Sequence, residues 1–412
     1  MKKQFLAYFF AAMTLGGIFT SCSSDDDPIV NPVPETTTFN EKNGLKVIFN
    51  GEALAGKEVI YTPSSEDATK AVLELKGADF DLLQHMTKEA NGLTLNTPGI
   101  IPGSANLKLD LDLTIEGDKC FFNGLSETEH YTFDYKGEIS KSNLNIEIAN
   151  AKLKNTDLVG QWNMVPFETD EWKTEILSTP LFLKWDSDSL LNMELAPGFV
   201  MPMPIETIVN LATSAIELID NGQTKVSALT YLTDIFKNVR LAEDGNITAE
   251  LKDVANGKNE LEVSPKNVAF YVVDKTPTAT DRGQLRLFLN LESIDKLSKQ
   301  NSRAAREGFD LGSVLSFINP MIQNGIPLTL VPTEDGKMAI ILDSKILIPI
   351  IKDMLAPVLA DPALIETLSE MIKNTPGMED FAPMAGAMLK ALPNALKGSK
   401  TIEIGLKFEQ AK

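Results

Sequence analysis

Short runs in which apolar and polar residues alternate occupy the chain between residues 44 and 157. They cover residues 45–51, 57–62, 71–77, 105–117, 129–139 and 144–155. Residues two apart in a strand point to the same side, so this alternation predicts strands with one buried and one wet face. Turn-forming residues separate the runs, which is typical of antiparallel neighbours. We therefore predict an antiparallel β sandwich or barrel over residues 44–157.

Residues 158–412 mix helical and strand patterns. The predicted elements are helices over 207–220 and 226–238, a hairpin over 239–251, strands over 267–274 and 284–291, a helix over 310–323, a hairpin over 328–342, helices within 347–396 and a strand over 401–408. Strands both precede and follow the helical block, which favours an α+β domain with helices packed on an antiparallel sheet over a parallel doubly wound sheet. Both hairpins turn at Glu-Asp-Gly, which indicates either an internal duplication or the recurrence of a common turn.

Residues 1–21 have the layout of a secretory signal. Lys2 and Lys3 form a positive end, an apolar stretch runs over 5–19, and small residues precede Cys22. This ending resembles the lipobox of bacterial lipoproteins, although Phe19 stands where leucine is usual. The resemblance implies that Cys22 carries the lipid and that the acyl chains hold the protein on a membrane, at roughly 0.8 kcal/mol per buried CH₂. The alternative is a plain signal with a chance cysteine.

Three acids follow the cysteine closely, at Asp25, Asp26 and Asp27. The stretch is similar to the acidic tether of Bacteroidetes lipoproteins that are exported to the outer face of the outer membrane. The resemblance therefore implies an outer-membrane, cell-surface location, whereas a solvated spacer without a sorting role is the alternative. Prolines and the absence of apolar periodicity predict a disordered tether over residues 22–43.

Gly160-Gln161-Trp162 lies on a predicted strand and resembles the opening motif of lipocalin-like (calycin) barrels, in which the indole closes the barrel floor. Together with the hairpins before it, the motif is similar to the calycin-like modules of uncharacterised Bacteroidetes surface lipoproteins, which places such a module in the N-terminal half. A barrel that started at Gly160 would be expected to continue at once with six or more strands. Such strands do not follow directly, so we do not expect a second barrel.

Charge and cysteine content restrict the partners and the covalent chemistry. The formal net charge is −19, and the chain has two cysteines. A strongly acidic surface argues against nucleic acid as a partner, since phosphate binding needs clustered cations. With Cys22 lipidated, Cys120 has no partner for a disulfide. Cys120 lies in a strand-like stretch, where we expect a small buried apolar residue.

No catalytic or metal-binding motif is evident. The two histidines, His85 and His130, lack companions at metal-ligand spacing, so neither a metal nor a cofactor is predicted. The sequence contains no Gly-x-Ser-x-Gly elbow and no glycine-rich phosphate loop. Asp186-Ser187-Asp188 lacks the downstream residues of a calcium loop. Paired carboxylates for glycoside hydrolysis cannot be recognised from spacing.

Three tryptophans, Trp162, Trp172 and Trp185, fall close together in the sequence. They either form a platform for a glycan or an apolar ligand, or fill the core between domains. Methionines such as Met203 and Met388, with the aliphatic residues of 346–360, either line an adaptable cavity or belong to the core. The hypothesis is a non-catalytic surface lipoprotein that binds an apolar ligand, a glycan or a partner protein. A carboxylate-dependent polysaccharide hydrolase and a structural envelope component are the alternatives.

Overall fold

The computed structural model describes residues 30–81, 94–172, 175–196, 198–217, 219–220, 224–252, 260–299, 319–333, 336–373 and 382–411. These residues form an N-terminal pair of sheets, a closed barrel in the C-terminal half and a group of helices. The protein is therefore mainly β with an α+β second half.

Two large sheets and a small hairpin of β6 paired with β7 make up the N-terminal unit, which we call the sandwich. Its strands are β1 (Thr37–Asn40), β2 (Leu45–Phe49), β3 (Glu52–Ala53), β4 (Lys57–Pro63), β5 (Lys70–Gly77), β6 (Asp79–Asp81), β7 (Thr94–Asn96), β8 (Asn106–Asp112), β9 (Thr114–Glu116), β10 (Lys119–Glu127), β11 (Tyr131–Ile139) and β12 (Leu144–Leu153). One sheet has the order β1-β4-β5-β8 and the other β3-β2-β12-β11-β10-β9. Every pairing within these two sheets is antiparallel except that of β2 with β12, which is parallel.

The predicted alternation of the sandwich strands is confirmed. In β4 and β5 the alternate residues Val59, Tyr61, Leu73 and Leu75 are fully buried, while their neighbours face outward. Cys120 is buried in β10, as expected. His85 lies outside the described residues.

Ordered structure begins earlier than the predicted boundary at residue 44. Strand β1 pairs with β4, and both Asn31 and Val33 are buried. The side chain of Asn31 donates a hydrogen bond to Tyr61 Oη at 2.7 Å. This segment was expected to be disordered because it has no apolar period. Single anchoring side chains and strand pairing hold it instead.

Eight strands of the C-terminal half close into an antiparallel barrel. They follow the order β13-β21-β22-β24-β25-β26-β27-β28, and β28 pairs back with β13. Their bounds are β13 (Gly160–Met164), β21 (Phe236–Leu241), β22 (Asn246–Lys252), β24 (Ala269–Lys275), β25 (Gly283–Leu289), β26 (Ile326–Pro332), β27 (Met338–Leu342) and β28 (Ser399–Gln410). The Gly160-Gln161-Trp162 motif thus opens a barrel in the C-terminal half. We expected the barrel-like module in the N-terminal half and no barrel after Gly160, and the position of the closed barrel corrects both expectations. The other seven strands follow only after a long insertion.

The inner face of the barrel is apolar. Strand register places on this face Trp162, Met164, Val239, Leu241, Ile247, Tyr271, Val273, Leu285, Leu328, Leu330, Met338, Ile340, Leu406 and Phe408. Among them Val239, Ile247, Leu328, Ile340 and Leu406 are only partly buried. The inner face is therefore packed most tightly around side chains such as Tyr271 and Leu330, which are fully buried, and less tightly around these five.

The two ends of the barrel differ. Short turns join β21 to β22, β24 to β25 and β26 to β27 at one end, which we call the turn end. The four long connections, residues 165–235, 253–268, 290–325 and 343–398, leave the barrel at the opposite end, which we call the mouth. An antiparallel barrel with this asymmetry has one simple end and one end built by insertions.

The insertions carry the remaining elements. The strands are β14 (Glu168–Thr169), β15 (Ile176–Ser178), β16 (Leu181–Ser187), β17 (Leu191–Ala196), β18 (Phe199–Met203), β19 (Ile219–Asp220), β20 (Lys225–Val226) and β23 (Leu261–Val263). The helices are α1 (Ile205–Ser214), α2 (Ala228–Ile235), α3 (Leu291–Lys299), α4 (Ser344–Pro349), α5 (Ala356–Leu359), α6 (Pro362–Lys373) and α7 (Ala382–Lys397), with a π-helical stretch at Ile350–Leu355. Strand β16 extends the barrel sheet by pairing with β28.

A second apolar core lies beyond the mouth and joins α1, α4 and α7 to the start of β28. Its buried members are Leu191, Ile205, Ile208, Leu347, Ile351, Ala356, Ala395, Leu396 and Ile402. Met203 and Met388 pack against this core. The helices predicted over 207–220 and 226–238 are present as α1 and α2 but end earlier. Helix α2 ends at Ile235 because the chain from Phe236 onward adopts extended geometry and pairs in the barrel. The predicted helix over 310–323 lies mostly outside the described residues.

The sandwich packs against the outer wall of the barrel. The rings of Phe49 and Phe270 meet edge to face with their centres 5.5 Å apart. Asn267 Nδ2 donates to the carbonyls of Glu52 and Ala53, each at 3.2 Å. Strand β24 is therefore buried on both faces, inward by the barrel core and outward by the sandwich, which explains its uninterrupted apolar sequence.

Candidate ligand-binding site at the mouth of the barrel

A cavity of about 410 Å³ lies at the mouth between the end of β13 and the start of β21; we call it the mouth cavity. It is lined by Asn163, Met164, Pro166, Phe167, Thr233, Phe236, Lys237 and Asn238. This size falls within the range of pockets that hold small molecules. The cavity exists because α2 ends at Ile235, directly beside the strand that Phe236 begins.

Two of the lining side chains connect the mouth cavity with the barrel interior. Met164 is paired in register with Phe408 on the inner face. Phe236 packs edge to face on the same ring, with the centres 6.3 Å apart. The apolar wall of the cavity therefore continues to the inner face of the barrel, so an extended apolar group that entered the barrel from this cavity would follow this wall inward.

Polar groups occupy the outer rim of the cavity. Lys237 is exposed, and its Nζ donates to the backbone carbonyl of Thr233 at 2.7 Å. No carboxylate is within ion-pair distance of Lys237 in the part of the chain that the structure describes. Asn238, in contrast, is buried and donates to Glu250 Oε2 at 2.6 Å. The rim thus presents one available cation above an apolar wall.

A second groove, of about 580 Å³, adjoins the mouth cavity through the shared residue Phe167. Helices α1 and α2 and the β14–β15 hairpin form its walls, and Ile176 and Leu211 contribute apolar surface. We call it the hairpin groove. A path of partly apolar surface therefore runs from the exterior through Phe167 to the mouth cavity.

A further groove, of about 630 Å³, lies between the sandwich and the turn end of the barrel. Its lining is mainly backbone and polar side chains, including Asn50, Lys152, Arg240 and Asp244. Asn50 Nδ2 donates to Asp244 Oδ2 across it at 3.5 Å, and the carbonyl and amide of Ala151 also bond to Asn50. We interpret this groove as part of the interface between the two units.

The structure does not bring the three tryptophans together. Trp162 is buried at the turn end of the barrel, and its Nε1 donates to the carbonyl of Leu158 at 2.9 Å. Trp185 packs against the second core and donates to Ser399 Oγ at 2.8 Å. Trp172 lies in the turn between β14 and β15 and is 81% exposed. A shared platform of indoles is therefore absent from their described positions.

His130 is the one titratable histidine that the structure describes, and it lies at the junction of the sandwich with β24 and β25. Arg286 Nη2 donates to His130 Nε2 at 2.7 Å, and Arg286 also binds Asp274 through its Nε and Nη2 at 2.9 and 2.8 Å. Burial, followed by the charge of Arg286, lowers the pKa of His130. A neutral imidazole that accepts from a guanidinium is suited to structure rather than to metal binding. Within the described ranges, no three His, Cys, Asp or Glu side chains form a metal site.

Asp186 and Ser187 end strand β16, and Asp188 forms an ion pair with Lys400. These carboxylates therefore lie beside a lysine at the end of the sheet. Cys22, the predicted lipid-attachment residue, is outside the described residues.

Sequence reasoning missed the residues of the mouth cavity. Met164 follows Trp162 at strand spacing, so the Gly-x-Trp motif did contain a signal for an inward residue. Phe236 was placed in a helix, and Phe167 had no pattern. Their proximity arises because β13 pairs with β21 across an insertion, a contact that local periodicity does not encode.

Comparison with known proteins adds no relative: no family model matches the sequence, and neither the curated proteins nor the solved structures include a significant match. The described helices are all too short or too polar to cross a membrane.

Proposed function

We propose that the barrel binds an amphipathic ligand with one apolar chain and an anionic head, taken up through the mouth cavity. The observation that carries the proposal is the continuous apolar wall from Met164 and Phe236 to Phe408, next to interior side chains that remain partly exposed. Lys237 at the rim supplies the cation for the head. The resemblance of Gly160-Gln161-Trp162 to the opening of calycin barrels agrees with this use of the fold.

The proposal also retains lipid attachment at Cys22 and an outer-membrane surface location. The signal-like residues 1–21 and the acidic tether support this part. Replacing Cys22 by alanine should abolish incorporation of labelled palmitate and release the protein from the membrane fraction. Unchanged labelling would contradict the anchor and leave the proposed ligand site untouched.

Calorimetric titration with dodecanoate and with dodecanol tests the ligand proposal. We expect saturable binding of dodecanoate by the chain expressed from Ser23. Lys237→Gln should weaken dodecanoate binding by roughly tenfold, the effect of losing about 1.4 kcal/mol of charge-assisted hydrogen bonding. The same substitution should leave dodecanol binding nearly unchanged, because the alcohol has no charge.

Two further variants complete the titration: one is a control for the loss of a lysine elsewhere, and the other blocks the mouth cavity. Lys184→Gln removes an exposed lysine from β16, away from the mouth cavity, and should bind dodecanoate like the parent. Thr233→Trp fills the cavity from its rim on α2 and should abolish binding of both ligands, provided that its melting curve shows a folded protein. Binding that Thr233→Trp leaves intact would contradict the proposed site.

A further inference from the structure

The hairpin formed by β14 and β15 exposes an unusually large apolar side chain. Trp172 lies in its turn with 81% of its surface exposed. Asp170 and Glu175 join the two sides of the hairpin: Asp170 Oδ1 accepts from the backbone N–H of Glu175 at 2.7 Å, and the N–H of Asp170 donates to the carbonyl of Glu175 at 3.0 Å. Next to these bonds the indole of Trp172 presents a large apolar area to solvent.

Exposed apolar side chains share this hairpin. Trp172, Ile176 and Leu177 all belong to it and are 81%, 43% and 62% exposed, and Leu211 of α1 is 40% exposed. Ile176 and Leu211 also line the hairpin groove of about 580 Å³. Clustered exposed apolar surface next to a groove is typical of an interaction site.

The charge of the hairpin restricts what can occupy this surface. Glu168, Glu171 and Glu175 are exposed on the hairpin, and the whole chain has a net charge of −19. A second copy would bring the same carboxylates and the same net charge, so self-association is opposed. An anionic bilayer is repelled for the same reason. A partner with cations around an apolar residue would gain from both features.

We propose that the β14–β15 hairpin and the hairpin groove dock a polypeptide segment that combines an aliphatic or aromatic anchor with flanking Lys or Arg residues. Trp172 and the apolar groove residues receive the anchor, and the three glutamates face the cations. The hairpin groove adjoins the mouth cavity at Phe167, but the contacts proposed here do not include the barrel interior, so the inference does not depend on the ligand proposed for the mouth cavity.

Selection of a random twelve-residue phage peptide library on the chain expressed from Ser23 tests the proposal. We expect enriched peptides that carry Lys or Arg beside an apolar residue. A synthetic copy of the enriched peptide should bind with an affinity that falls as salt is raised. Trp172→Ser should weaken it by roughly 30-fold or more, as for a central interface tryptophan.

Matched variants distinguish specific binding at the hairpin from non-specific binding to exposed apolar or acidic surface. Leu125→Ser removes a side chain of β10 that is also 81% exposed and should leave peptide binding unchanged. Glu171→Lys with Glu175→Lys should weaken the peptide at least tenfold, whereas Glu116→Lys with Asp118→Lys on the sandwich should not.

Several results would overturn the docking proposal. They are the enrichment of acidic peptides, equal binding to the Trp172→Ser and Leu125→Ser variants, and the absence of any enriched peptide. Concentration-dependent dimers or flotation with phosphatidylcholine vesicles that require Trp172 would also reject it, because they would assign the surface to a second copy or to a bilayer.

Discussion

Two glycines at equivalent hairpin turns allow the packing of the sandwich on the barrel to be measured. Gly245 joins β21 to β22 with φ 76°, and Gly336 joins β26 to β27 with φ 70°. A Cβ added at Gly245 would lie 1.8 Å from Tyr131 Oη, whereas a Cβ added at Gly336 would have nothing within 4 Å. Tyr131 belongs to the sandwich and is fully buried. The two substitutions therefore share the backbone effect and differ in the surroundings of the added Cβ, where Tyr131 Oη is the closest atom and the Tyr271 carbonyl oxygen lies 3.1 Å away.

The magnitudes follow from these two terms. A left-handed conformation costs a non-glycine residue about 1–2 kcal/mol, so Gly336→Ala should lower the free energy of unfolding by about that amount. Gly245→Ala must in addition displace Tyr131, whose Oη donates to the carbonyl of Asp244 at 3.4 Å. Overpacking of this kind adds about 1–3 kcal/mol. The predicted total for Gly245→Ala is therefore about 2–5 kcal/mol.

Urea unfolding of both variants, in the parent and in a Tyr131→Phe background, measures the difference. Removing the hydroxyl should reduce the cost of Gly245→Ala, although the Tyr271 carbonyl at 3.1 Å stays in place, and should leave the cost of Gly336→Ala unchanged. Equal costs for the two glycines in the parent, or no relief from Tyr131→Phe, would refute the proposed contact between sandwich and barrel.

Three further predictions concern buried charges. Burial lowers the pKa of Lys57 from 10.5 to about 7. Between these two pH values the unfolded chain binds one proton more than the folded chain, so the free energy of unfolding should rise with pH by up to about 1.4 kcal/mol per pH unit. Urea titrations at pH 7.5 and 9 should show this rise in the parent and not in Lys57→Met. The lowered pKa of His130 also makes the free energy of unfolding rise with pH, because on acidification the histidine of the unfolded chain is protonated near pH 6.5, before that of the folded protein. The melting temperature should therefore fall between pH 7.5 and 5.5, and His130→Gln should reduce that fall; an unchanged fall would show that His130 is not responsible. Arg282 binds the buried carboxylate of Glu403 through two hydrogen bonds of 2.6 and 2.9 Å. Arg282→Gln should therefore lower the free energy of unfolding by about 1–3 kcal/mol. A loss smaller than the error of a urea titration would show that this ion pair does not stabilise the fold.

Local patterns were enough for the sandwich and for the individual hairpins. Alternation placed Val59 and Tyr61 on the buried face, because a half-buried strand must separate apolar from polar residues with a period of two. The Asp-Gly pairs identified the turns at Gly245 and Gly336, because few other residues tolerate positive φ. These features depend on neighbouring residues only.

Barrel closure could not be predicted in the same way. It joins Trp162 to Gln410 in register, although the two residues lie near opposite ends of the C-terminal half, and a long insertion separates β13 from its other neighbour β21. Strand β24 also lacks alternation because the sandwich covers its outer face. The mouth cavity follows from these long-range pairings, and sequence spacing therefore gave no indication of it.

Quenching of Trp162 by a brominated dodecanoate is the most direct test of ligand entry into the barrel. In a chain with Trp172→Phe and Trp185→Phe, the remaining indole lies on the inner face, two positions before Met164. Saturable quenching by the brominated acid, reversed by plain dodecanoate and requiring higher acid concentrations in Lys237→Gln, is the predicted result. Emission from Trp162 that the brominated acid leaves unchanged, although the acid binds, would contradict a ligand site that continues into the barrel.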